Sequence, residues 1–282
     1  MPSYIDAYGI EIFYDIHPAE RPRAVVQLLH GVGEHAGRYR VLGEALAEAG
    51  YTVYADDHRG HGRTGMAQHG GDASQLGKLG PGGLRATVAA AWQFTELIRG
   101  EHPGLPIVII GHSWGSFLTQ MLVDRHPEAY DAMVLSGSAL RWPGALNGGD
   151  LNKPWRGPGA NGLEWLASDP AVAEAFIADP LTTSTPLMQL FGLADAMRLF
   201  GLPGKHLGHD IPTLILVGEH DTVGGPRSNE RLAAAYRSRS GFSEVTTIVY
   251  PGARHEVFNE VMQDKVRSNL IHWLGRHVPA AT

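Results

Sequence analysis

The chain has 282 residues, 43% of them hydrophobic and 18% charged, so it can bury a large core and is neither a disordered chain nor a small stapled module. It contains no cysteine, which excludes disulfides, thiolate catalysis and cysteine-ligated zinc or iron–sulfur centres. Lys and Arg number 23 against 29 Asp and Glu; the resulting charge of −6 argues against a nucleic-acid partner, and no apolar run approaches the ~20 residues of a membrane span. Residues 1–10 lack a basic segment followed by an apolar one, so no signal peptide is read and a cytoplasmic location is expected.

In chain order, Tyr4–Tyr8 and Ile10–Ile16 read as a pair of strands turning at Gly9, and Ala24–Leu29 as a buried strand ending at His30-Gly31. A helix is expected over Tyr39–Ala49, closed by Gly50, then a strand over Thr52–Ala55. A polar, glycine-rich loop covers 60–83 and a helix Leu84–Arg99. Ile107–Ile110 is too short for a helix and rich in β-branched residues; helix resumes over Ser113–His126. Ala132–Leu135, Thr213–Val217 and Val245–Val249 are further buried strands, and Glu256–Leu274 a final helix. The 36 glycines fall between these apolar runs, where strand-to-helix turns need positive φ or close backbone approach.

Alternating strands and helices, with strands apolar on both faces, predict an α/β fold with a mostly parallel central sheet covered by helices on both sides. Residues 141–210 break the rhythm and carry Trp142, Trp155 and Trp165 with several prolines and glycines. They read as a helical cap inserted into a core formed by 1–140 and 211–282.

Gly111-His112-Ser113-Trp114-Gly115 lies between a strand and a helix. Such a turn forces its serine into strained backbone geometry, and the flanking glycines leave room for it. The hydroxyl then stands at the carboxyl end of the sheet, where the helix dipole favours negative charge. It needs a base, and the expected order is serine, acid, histidine. Asp221 follows Thr213–Val217 and His255 follows Val245–Val249, each at the carboxyl end of a strand. Glu219 competes with Asp221, which lies further past its strand and is preferred. Two backbone N–H groups should form an oxyanion hole: that of Trp114, and that of Val32 in His30-Gly31-Val32-Gly33-Glu34-His35. Candidate substrate contacts are His30 and Gly31 in this loop and Trp142, Trp165 and Leu166 in the insertion.

At these residues the sequence resembles the α/β-hydrolase superfamily, and within it the monoacylglycerol lipase and lysophospholipase group. The resemblance rests on residues 30–35 with Arg38-Tyr39, on Asp57-His58-Arg59-Gly60-His61-Gly62, on the motif around Ser113, and on residues 253–260. It implies that Ser113, Asp221 and His255 are catalytic, that Val32 and Trp114 line the oxyanion hole, and that a cap shapes an acyl tunnel and touches membranes or micelles. The expected activity is hydrolysis of monoacylglycerol-like or other medium-chain monoesters through an acyl-enzyme, with no cofactor and no metal.

Three alternatives remain at this level. An esterase for aromatic or xenobiotic monoesters would use a cap arginine such as Arg141 or Arg156, although these and Arg198 read first as solvated. A peptidase like proline iminopeptidase would pair a substrate amine with Glu164 or Glu174. A ligand-binding protein would keep the fold without turnover. Gly60-His61-Gly62-Arg63-Thr64-Gly65 matches a dinucleotide fingerprint, but glycine-rich loop rather than helix is expected after it.

Overall fold

The computed structural model describes residues 1–278. Its strands are β1 (Ser3–Ile5), β2 (Glu11–His17), β3 (Ala24–Leu29), β4 (Tyr51–Asp56), β5 (Ile107–His112), β6 (Ala132–Ser136), β7 (Thr213–Gly218) and β8 (Val245–Tyr250). They form one sheet in the order β1-β2-β4-β3-β5-β6-β7-β8. The first two pair antiparallel, β2 runs antiparallel to β4, and β3 to β8 are parallel. From β3 the chain crosses to β4 on one side and later returns to β5 on the other. This reversal opens a crevice at the carboxyl ends of β3 and β5, the place where open α/β sheets bind ligands.

The helices are α1 (Arg40–Glu48), α2 (Gly62–Gln68), α3 (Gly83–Glu101), α4 (Trp114–Val123), α5 (Pro170–Ala178), α6 (Leu187–Arg198), α7 (Gly225–Ala235) and α8 (Gln263–His277). β5 shows why its apolar run does not alternate. Ile107 and Ile109 pack with Phe94, Leu118 and Leu122 of α3 and α4. Val108 and Ile110 pack on the other face with Leu42 and Leu46 of α1 and Leu270 and Trp273 of α8. Every position is buried, each large side chain contributing about 1.5–3 kcal/mol. Among the described residues no helix is long and apolar enough to cross a membrane.

Elements differ from expectation in several places. The first strand covers Ser3–Ile5 rather than Tyr4–Tyr8, since the Gly9 N–H donates to the Asp6 carbonyl (3.0 Å) and turns the chain there. The loop 60–83 contains α2, because the Asp57 carboxylate accepts the Arg63 N–H at 2.8 Å and so satisfies the helix's first turn. A helix therefore does start within the dinucleotide-like motif, at Gly62, but the place of a phosphate at its N-terminus is held by Asp57. The last helix starts at Gln263, not Glu256, since the preceding residues form a separate 3-10 turn (Val257–Asn259) whose flanking carboxylates bind elsewhere. Helix α7, which the sequence reading leaves unassigned, packs Leu232 and Ala233 into the core.

Between β6 and β7 the chain runs through a 3-10 turn (Lys153–Trp155), α5 and α6. Pro170 opens α5 and the Asp169 side chain caps it. Leu163, Leu166, Ala173 and Phe176 form a small cluster of their own. Leu190, Phe191 and Leu199 instead join the main core, which ties the second half of the insertion to α3 and α4.

Candidate active site

Ser113 sits between β5 and α4 with φ 52° and ψ −122°, a conformation outside the favoured regions for an L-residue. The turn is held from both sides. The Ser113 N–H donates to the Ser136 carbonyl (2.9 Å), and its carbonyl accepts the Ser116 N–H (2.9 Å). A Cβ on Gly111 would lie 2.3 Å from Thr119 Oγ1, and one on Gly115 would lie 2.2 Å from the Leu29 carbonyl oxygen. Only glycine lets the helix start this close to β3.

The structure brings Asp221 and His255 together from the ends of β7 and β8: His255 Nδ1 lies 3.0 Å from Asp221 Oδ1, with both side chains buried. The same carboxylate oxygen accepts the Val223 N–H (2.8 Å). Glu219, the competing acid, is half exposed and accepts the Gly252 N–H. With Nδ1 donating to Asp221, His255 presents Nε2 as an acceptor, and that atom is buried with no partner among the described residues. Burial resists a charge on this ring, but Asp221, through its charge and hydrogen bond, together with Glu256 and Glu34, outweighs it and raises the His255 pKa. Gly137, at the end of β6, makes room here; a Cβ there would lie 2.8 Å from His255 Cε1 and 3.0 Å from His112 Cε1.

The loop after β3 passes directly over Ser113, since a Cβ on Gly31 would lie 3.1 Å from Ser113 Cβ. The N–H groups of Val32 and Trp114 bond to no acceptor among the described residues. Glu34, buried, accepts the Gly31 N–H (2.5 Å) and the Tyr39 hydroxyl (2.6 Å) on one oxygen, and Arg38 on the other. Arg38 also grips Glu256 through two bonds of 2.8 Å. Burial works against the Glu256 charge, yet Arg38 holds its carboxyl down at about 2. Glu34, Arg38 and Glu256 thus join the loop after β3 to the residue that follows His255. Sequence alone assigns no role to these three side chains. The i, i+4 spacing of Glu34 and Arg38 was the available local signal.

The remaining candidates divide. His30 is buried with both nitrogens engaged, Nδ1 with the Gly31 carbonyl (2.7 Å) and Nε2 accepting the His58 N–H (3.0 Å). It stacks on His58, and the Trp114 ring stacks on His61. Burial pushes His61 down to about 4 and His112 to about 3, so both are neutral at pH 7. The Trp165 ring centre lies 4.9 Å from that of His255, its carbonyl accepts the His255 N–H, and the Leu166 carbonyl accepts the Glu256 N–H. Trp142 is 47% exposed.

Arg141 is not solvated: it is buried, binding Gln120 Oε1 and the Leu199 carbonyl beside Asp124. Arg156 and Arg198 lie at the surface, paired with Asp150 and Asp195. Glu164 binds Asn152 and the N–H groups of Asn161 and Gly162, closing its own loop, and Glu174 is exposed. Among the described residues no group of three or more His, Asp or Glu is arranged to hold a metal ion.

Known proteins share this arrangement of elements and sequence. The chain is 33% identical over 288 residues to a monoacylglycerol lipase of Mycolicibacterium smegmatis, covering 98% of this chain and 97% of that one. The crystal structure of a Paleococcus ferrophilus monoacylglycerol lipase superposes with a TM-score of 0.70 at 25% identity, over 95% of this chain and 99% of that one. A thermostable carboxyl esterase from Bacillus coagulans, solved with glycerol, shares the fold with a TM-score of 0.79 at 24% identity, over 98% of both chains. The family model for the serine aminopeptidase S33 hydrolases matches residues 20–262. The chain therefore belongs to that family of α/β-hydrolases and is similar within the fold to monoacylglycerol lipases and esterases.

Proposed function

We propose that the protein is a serine carboxylic-ester hydrolase acting on monoacylglycerol-like or other medium-chain monoesters, with Ser113 as nucleophile, His255 as general base and Asp221 as its partner. The observation that supports this reading is the buried Asp221–His255 pair, whose Nε2 is left without a partner among the described residues and whose ring centre lies 4.8 Å from that of His112, the residue before the strained Ser113. His255 takes the Ser113 proton as the hydroxyl attacks the ester carbonyl. Asp221 keeps the imidazole in the tautomer with Nε2 unprotonated and stabilises the imidazolium that forms. The Val32 and Trp114 N–H groups receive the oxyanion, each worth about 3 kcal/mol of barrier. The alcohol leaves with the proton from His255, and water repeats the sequence on the acyl-enzyme to release the acid.

Residues 141–210 act as the cap. Apolar residues of α6, whose two halves meet at a kink at Gly192, favour an acyl chain: Phe191 is buried against Trp114 with ring centres 5.1 Å apart, while Leu193 and Met197 are 68% and 57% exposed. With Ile177 and Met188 they are exposed apolar side chains of α5 and α6, available for transient contact with membranes or micelles. The test is hydrolysis of 4-nitrophenyl esters from acetate to palmitate by the wild type and Ser113→Ala. Activity should peak at medium or long chains and vanish in the variant. A peak at acetate would move the reading to a small-ester esterase. No hydrolysis, with Ser113 unlabelled by a fluorophosphonate, would overturn it.

A further inference from the structure

The loop from His30 to His35 contains two glycines, one of them, Gly33, with φ +78°, so its own residues hold the Val32 N–H in place only weakly. Its position depends on anchors from two sides. Three belong to the core: His30 Nε2 accepting the His58 N–H at 3.0 Å, Glu34 accepting the Gly31 N–H, and Asp57 Oδ1 accepting the Ala36 N–H at 2.9 Å. Two more come from the insertion just after α5. The Thr183 N–H donates to the Gly33 carbonyl at 2.8 Å, and His35 Nε2 meets Asp179 Oδ2 at 2.8 Å. The contact is close enough that a Cβ on Gly33 would lie 2.2 Å from the Thr183 carbonyl oxygen.

We propose that His35 and Asp179 are positioning residues: through them the segment 179–183 holds the loop that carries the Val32 N–H, so that turnover depends on this part of the insertion being seated. The inference rests on the serine-hydrolase reading above. His35 Nδ1 accepts the Gly37 N–H (3.2 Å), which leaves the ring proton on Nε2 to be donated to Asp179. Asp179 is itself fixed, since its other oxygen accepts the Leu181 N–H (2.8 Å). The Thr182 hydroxyl donates back to the Phe176 carbonyl. The segment is thus a braced turn at the end of α5 rather than a loose loop. Burial acts against the Asp179 charge, but the bonds from His35 and Leu181 outweigh it and hold the carboxyl below its ordinary range.

An oxyanion donor acts on the carbonyl oxygen, which is the same for every acyl chain, whereas a pocket wall acts on the chain. This difference defines the experiment. We would measure kcat and KM of wild type, His35→Ala, Asp179→Ala and the double variant on 4-nitrophenyl acetate, butyrate and decanoate, per site titrated with a fluorophosphonate. Each single variant should lose about tenfold or more in kcat by one common factor across the three esters, with KM within about threefold. The double variant should be no slower than the slower single, because the two residues act through one contact. His35→Gln, whose amide N–H reaches the place of Nε2–H, should recover most of the rate. Should the alanine variants not fold, His35→Asn against His35→Gln gives the same contrast with little change of volume.

A loss that varies with chain length or falls mainly in KM would overturn the proposal, as would unchanged kcat or additive effects. A wild type that labels at Ser113 and hydrolyses all three esters keeps the parent reading standing through any of these results. A wild type that does neither removes that reading and the inference with it.

Discussion

Replacing Ser113 by glycine should make the protein more stable than replacing it by alanine, although the proposed mechanism leaves both variants inactive. At φ 52°, ψ −122° the residue lies outside even the left-handed region, so a side chain there costs at the upper end of the range for strained positions, about 3 kcal/mol. Serine and alanine both bear that cost, and glycine does not. Against it, Ser113→Gly gives up one largely buried methyl relative to Ser113→Ala, about 0.8 kcal/mol. It also gives the unfolded chain more freedom, about 0.7 kcal/mol. The balance is about 1.5 kcal/mol in favour of glycine, or about 3 °C in Tm for a domain of this size. Parallel urea titrations and calorimetry of the two variants measure it. The neighbours make relaxation of the turn in the alanine variant costly, because Gly111 and Gly115 lie against Thr119 and the Leu29 carbonyl. A glycine variant no more stable than the alanine variant would refute the argument that packing holds the nucleophile in strain.

Two further outcomes are expected. In the proposed mechanism His255 must be neutral to accept the Ser113 proton, and its pKa is raised, so kcat/KM should fall on the acid side through a midpoint above the ordinary histidine value of about 6.5. The ring faces Asp221, Glu256 and Glu34, which favour its charge, with His112 alongside; Glu256→Gln removes one negative charge and should move that acid limb to lower pH. A limb that stays put or moves up in a pH–rate profile would contradict this assignment. Gly31→Ala places a Cβ 2.7 Å from Glu34 Oε1 and 3.1 Å from Ser113 Cβ, and should lower kcat on 4-nitrophenyl butyrate by about 10- to 100-fold with little loss of Tm. Retention of more than half the wild-type rate would show that the loop yields freely.

The parts of the molecule legible in the sequence are those whose causes are local. Ala24–Leu29 is read to the residue, and Ile107–Ile110 falls short only by Gly111 and His112, because a short, mainly apolar run bounded by turn residues has one good solution. Ser113 stands out because a strand, two glycines and a helix lie within a few residues of it. Boundaries fail where the deciding partner is remote: the final helix starts late because Glu256 is drawn to Arg38, 218 positions away. Arg141 likewise reads as solvated until α4 and the end of α6 close around it. Spacing past the strand end favours Asp221 over Glu219, and the packing of the ends of β7 and β8 sets Asp221 against His255 while Glu219 stays half exposed. The grip of the insertion on the loop after β3 joins His35 to Asp179 across 144 positions. Propensity and periodicity carry information over a turn or two of chain, so they specify strands, helices and the nucleophile's turn. Which carboxylate meets which base, and what holds the Val32 N–H in place, depends on contacts that exist only once the sheet has assembled and excluded water from the site.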